Sequence, residues 1–132
     1  MKRCDFNIAV GDAPWSVTVF LPITGYHVNV IMRELKRLGI SDANYAAALE
    51  NLTSGRVNNG LTFSSMEHRR SVSVWASATS AAEWFNLIVH ELHHLSVQIA
   101  SCHGMDLEGE EVCYLNGDTA GLLYSFCKPM LQ

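Results

Sequence analysis

The chain opens on two stretches in which apolar side chains fall on every second position. Phe6, Ile8 and Val10 alternate with polar or small residues, and Trp15, Val17, Val19 and Leu21 repeat the pattern. A period of two lines up one face of an extended strand, and the intervening Gly11-Asp12-Ala13-Pro14 is turn chemistry, so the spacing predicts a hairpin. Pro22 ends its second strand. From about Tyr26 to Leu38 the period lengthens. Val28, Ile31, Met32, Leu35 and Leu38 recur at helical spacing, and Gly39 is a natural stop. Ser41 caps a second helix that runs through Ala46, Ala47, Ala48 and Leu49 and ends at Gly55. Val57-Asn58-Asn59-Gly60 reads as loop, Leu61 and Phe63 as a short strand, Met66 to Arg70 as a turn, and Val72, Val74 and Ala76 as a further strand.

Ser80-Ala81-Ala82-Glu83 has a serine cap with a glutamate three residues on, the pattern of a capping box. A long helix is expected from there to about Ser101. Trp84, Leu87, Ile88, Leu92, Leu95 and Ile99 cover most of its circumference, which predicts a helix buried in the middle of the fold. His103-Gly104-Met105 breaks it. A last helix begins at Asp106 or nearby, passes through Val112, Leu115, Leu122, Leu123 and Phe126, and closes at Lys128-Pro129. No repeat, low-complexity tract or linker interrupts the pattern. The expected architecture is one α+β domain over residues 1–132, with a small, largely antiparallel sheet packed on helices.

Composition narrows the function. The chain has 48% hydrophobic and 17% charged residues and a net charge of -4. That balance suits a packed core and lacks the basic surface that nucleic acid requires, so no nucleic-acid partner is expected. The N-terminus starts basic, but Asp5 and Asn7 interrupt any signal-like apolar run. The most apolar stretch, Ala81 to Ala100, carries Glu83, His90, Glu91, His93 and His94, too many ionisable groups for a lipid-spanning helix. A cytoplasmic protein with no membrane contact is expected. Cys4, Cys102, Cys113 and Cys127 form no C-x-x-C pair, so free thiols are expected rather than a cysteine metal site.

The chemistry concentrates in His90-Glu91-Leu92-His93-His94. Histidines four apart share one helix face, where both imidazoles can reach one zinc ion at roughly 2.0–2.1 Å. Glu91 projects about 100° away and can take a proton from water activated at the metal. His93 points off the ligand face. A third ligand six residues after His94 is ruled out because that position is Ala100. Glu110 and Glu111 are the alternatives, 16 and 17 residues past His94. The face of Glu110 continues through Cys113, Tyr114, Gly117 and Gly121, mostly small residues that would let two helices approach closely, whereas Glu111 shares its face with Leu115 and Leu122. That favours Glu110, with Glu111 as the alternative. Tyr114 can stabilise a developing oxyanion, with packing against the metal helix as its plainer role, and Asp118, two turns after Glu110, can support His94 or His90. The strand Ser71 to Ala76, with Val72 and Val74, can be read as an ordinary strand with its serines in solvent. Granted the metal site, it can instead be read as an edge that holds extended substrate.

His90-Glu91-x-x-His94 followed by a glutamate on a later helix resembles the gluzincin-type zinc metallopeptidases. The resemblance covers two helices and implies a zincin-like metal helix, a C-terminal glutamate helix and Glu91 as the base. The chain lacks the large flanking domains that form the substrate cleft in those enzymes. Over nearly its whole length the chain also resembles small uncharacterised proteins of bacteriophages and prophages. There the arrangement matching Gly109-Glu110-Glu111-Val112-Cys113-Tyr114-Leu115 recurs. The expectation is a zinc-dependent hydrolase that cleaves a peptide or protein substrate. The alternative is a non-catalytic binding protein with a structural zinc site, its fourth position closed by His103 or a cysteine.

Overall fold

The computed structural model describes residues 2–21, 27–54 and 60–132. Its elements in chain order are β1 (Lys2–Val10), β2 (Ala13–Leu21), α1 (Val28–Leu38), α2 (Asp42–Ser54), β3 (Gly60–Ser65), β4 (Arg70–Trp75), α3 (Ala81–Cys102) and α4 (Glu110–Cys127), closed by a short 3-10 helix, Lys128–Leu131. The expected start of the first helix at Tyr26, the strand stop at Pro22, and the Gly55 and 57–59 loop readings lie outside the described residues.

The local signals act where the pattern puts them. Ser80 Oγ accepts the Glu83 backbone N–H at 3.1 Å and starts α3. Ser41 Oγ accepts from Asn44 in the same way. Gly39 ends α1 at φ +82°, a left-handed conformation that a side chain would disfavour.

The four strands form one sheet in the order β1-β2-β4-β3. β1/β2 and β3/β4 are antiparallel hairpins, and β2 and β4 run parallel between them. The sheet is thus largely antiparallel with one parallel pair, and the segment holding α1 and α2 supplies the crossover. Alternation divides the core. Val17, Val19, Leu21 and Trp75 face α3 and α4, whereas Phe20, Val72 and Val74 pack with Ile31, Leu35 and Leu38 of α1. Helices therefore cover both faces of the sheet.

Three expectations change. β4 is an interior strand with neighbours on both sides, so Val72 and Val74 are fully buried beneath α1 and offer no edge to a substrate. Its serines are not in solvent either, because Ser71 and Ser73 are buried on the face toward α3. The long helix α3 is also not enclosed. Phe85 is 61% and Val89 50% exposed, on a stripe that continues through His90, His93 and His94. Among the described residues no helix is long and apolar enough to cross a membrane.

The four cysteines are free thiols. Burial, with the Cys4 thiol nearby, pushes Cys127 up to about 11.

The α1 face carries an ion cluster that the sequence did not announce. Glu34, 7% exposed, accepts from Arg70 at 2.8 Å and Arg37 at 3.1 Å, with Arg3 at 3.9 Å. Burial raises the Glu34 carboxyl, but the Arg70 hydrogen bond and the charges of Arg70, Arg3 and Arg37 outweigh it and hold the group below its ordinary 4.5. A carboxyl depressed by folding stabilises the fold above its unfolded value, and that contribution is lost as pH falls through the folded value. Thermal midpoints measured from pH 7 to pH 3 are therefore expected to drop below about pH 4.5. Glu34→Gln should flatten that drop and cost about 1–3 kcal/mol at neutral pH, because Arg70 loses its ionised acceptor.

Candidate metal centre

Helix α3 brings the motif residues together as the spacing requires. His90 Nε2 and His94 Nε2 lie 3.2 Å apart, with the rings edge to face at 4.9 Å between centroids. Two nitrogens bound tetrahedrally at 2.0–2.1 Å to one zinc would be separated by about 3.3 Å, so the pair fits two corners of such a site. Both imidazoles are exposed, and His93 is exposed beside them. The expectation of a helix buried in the middle of the fold thus fails at the histidines.

The buried member is Glu91, at 2% exposure. It turns inward, past its own helix, onto β3. Thr62 Oγ1 donates to Glu91 Oε2 at 2.7 Å. Thr62 in turn meets Ser73 Oγ at 2.7 Å, and Trp75 Nε1 donates to Ser73 Oγ at 2.8 Å. The other carboxylate oxygen, Oε1, stands 3.9 Å from His90 Nε2. Glu91 therefore presents one tethered oxygen to the sheet and one toward the imidazoles. Gly60 closes the arrangement from β3. A Cβ there would run into the Val74 carbonyl and come within 3.3 Å of the Glu91 carboxyl carbon.

Helix α4 lies elsewhere. It meets α3 through Leu115, Leu123 and the Ser96–Asn116 hydrogen bond of 2.8 Å. Ser96 is two residues past His94, about 200° around a 3.6-residue helix, so α4 packs on the side of α3 away from the imidazoles. Among the described residues no third His, Cys, Asp or Glu completes a metal-holding group with the pair. The segments 22–26 and 55–59 contain none of these four residue types.

The packing argument that favoured Glu110 does not match this arrangement. Its face, with Cys113, Tyr114, Gly117 and Gly121, is exposed, and a Cβ at either glycine would meet nothing. The helix buries Val112, Leu115, Thr119, Leu123 and Cys127 instead. Glu111, Tyr114 and Asp118 line a shallow hollow of about 300 Å³ against β1, which the histidine pair does not share. His103 caps α3, its Nδ1–H donating to the Ile99 carbonyl at 2.9 Å and its ring edge-on to Trp15 at 5.4 Å.

Thr62, Ser73, Trp75 and Gly60 were missed from the sequence. The signal was present in Thr62-x-Ser64 and Ser71-x-Ser73-x-Trp75, polar residues at strand period on what proves to be a buried face. Comparisons with protein-family models, with curated proteins and with solved structures find no match to this chain.

The close approach at Gly60 yields a test of how tightly β3 sits on β4 beside Glu91. Gly60→Ala must displace β3 from the Val74 carbonyl, which the added Cβ would overlap. Denaturant unfolding is expected to show a loss of about 1–3 kcal/mol, typical of overpacking. An unchanged midpoint would mean that β3 is not held that closely against β4.

Proposed function

We propose that the protein is a metal-dependent hydrolase, with zinc the metal and a peptide the substrate. The observation that carries the reading is the pairing of two convergent, solvent-facing imidazoles with a buried carboxylate whose second oxygen, without a hydrogen-bond partner among the described residues, faces them. His90 and His94 would hold the ion. Zinc, when bound, supplies a Lewis acid and water acidic enough to serve as nucleophile at neutral pH.

The chain's own contribution is made by Glu91. Oε2 is occupied by the Thr62 hydroxyl, so Oε1 is the atom that accepts the water proton and returns it to the leaving amine. The strand beside this carboxylate is β3, an outer strand of the sheet. The edge role expected of Val72 and Val74 thus passes to β3. An extended peptide could pair with its backbone, apart from the Thr62 carbonyl, which accepts from Gln98 Nε2 at 2.7 Å. The gluzincin resemblance supports this reading through Glu91 and the two histidines, and a cytoplasmic setting accords with the free thiols.

Elemental analysis of the purified, tag-free protein is the first test. About one zinc per chain is expected, lost in His94→Ala and kept in Glu91→Gln. Glu110→Ala and Glu111→Ala are expected to keep it, because α4 packs away from the pair; loss in either would mean that α4 reseats to supply a ligand. A peptide-library assay should then show cleavage by the wild type and a large loss in Glu91→Gln. Zinc retained with no cleavage by the wild type would favour the non-catalytic zinc-binding alternative. No zinc, even after addition, would end both readings.

A further inference from the structure

We propose that Thr62 is the positioning residue of this centre. Trp75 and Ser73 orient it so that it pins Glu91 Oε2 and leaves Oε1 alone to act. This rests on the hydrolase reading of Glu91. The argument begins with proton direction. An indole N–H only donates, so Ser73 Oγ accepts from Trp75. An ionised carboxylate only accepts, so the single hydroxyl proton of Thr62 goes to Glu91. The Ser73–Thr62 contact must then use the proton of Ser73. With Glu91 ionised, as its role as base requires, every donor in the chain points at Oε2 and all three contacts are satisfied.

A second ladder beside it shows what the architecture alone demands. Trp15 Nε1 donates to Ser71 Oγ at 2.9 Å, Ser71 meets Ser64 at 2.6 Å, and Ser64 donates to Gln98 Oε1 at 2.7 Å. The rungs are register neighbours, Thr62 opposite Ser73 and Ser64 opposite Ser71. Glu91 and Gln98 are seven residues apart, two turns along the same face of α3. Gln98 fills this role with a neutral amide, its oxygen taking the ladder and its nitrogen donating to the Thr62 carbonyl. A carboxylate is costlier to bury than an amide and has no donor for a second contact. Docking α3 on the sheet therefore does not require a charge at position 91. The charge and the free Oε1 are what distinguish the Glu91 rung, and Thr62 selects which oxygen stays free.

The test uses the full chain, with ¹H–¹⁵N spectra resolving the indole N–H signals of Trp15 and Trp75. Thr62→Val is expected to move the Trp75 signal and leave that of Trp15, and Ser71→Ala to do the reverse. Thr62→Val should keep the zinc content of the wild type and lower kcat about 10- to 100-fold with KM little changed, the range for loss of a supporting hydrogen bond. Thr62→Ser should restore both the signal and kcat. If Thr62→Val does not fold, Ser73→Ala keeps the Thr62 hydroxyl and should still displace the Trp75 signal, with a smaller fall in kcat.

A Trp75 signal unmoved in both Thr62→Val and Ser73→Ala would overturn the ladder. A moved signal with unchanged kcat would overturn the positioning role. A wild type without zinc or cleavage would remove the hydrolase reading by itself, and the indole shifts would still decide whether the Trp75–Ser73–Thr62 ladder forms.

Discussion

A layer of hydroxyl groups between the sheet and α3 is the constraint on which the rest of this structure depends. Ser71 and Ser73 are buried, and Thr62 sits at the same depth on the neighbouring strand. Such groups destabilise a core unless each finds a partner. Here each does, because two tryptophans donate from one side and two α3 side chains accept on the other. The position of α3 over β3 and β4 follows from closing both ladders at once. A shift of α3 by one residue along its axis would turn both acceptors by about 100° and break both ladders. The outward direction of His90 and His94 is set by the same docking, since they lie about 100° and 60° around the helix from Glu91, on the side away from the buried Leu92.

That arrangement explains why one half of the motif is buried and the other exposed. Glu91 is enclosed by β3, with Gly60 admitting the strand at close range, while the imidazoles open on solvent. In the proposed hydrolase, a general base gains from being held, since a fixed carboxylate needs no reorganisation as the proton moves. There, imidazoles that hold a metal would gain from access, since ion and substrate would both have to reach them. The apolar positions of α3 supply the remaining contacts. Leu87, Leu92, Leu95 and Ile99 pack on the sheet and α4, and thereby place α4 on the far side of the helix from the histidines.

Much of the architecture was legible along the chain because it depends on local periodicity. The hairpin of β1 and β2, the capping box of α3, the stop at Gly39 and the break at His103 each arise from a few adjacent residues. The α+β class and the convergence of His90 and His94 follow in the same way, since an i, i+4 pair needs only a helix.

What sequence could not settle was which faces meet. Period two showed that Ser71 and Ser73 share a face and Val72 and Val74 the other, but not that both faces are covered. Strand order made β4 interior and β3 an edge, and that depends on a parallel pairing between strands more than fifty residues apart. The same holds for Glu110, whose helical face was read correctly as one of small residues but which turns to solvent once Leu115 and Leu123 are drawn to α3. Thus the sequence by itself determined the elements, their caps and the two-histidine pair. The tertiary structure decided what Glu91 touches, which strand lies beside it and where α4 goes, because those contacts are selected by burying apolar area and pairing buried hydroxyls across the whole chain.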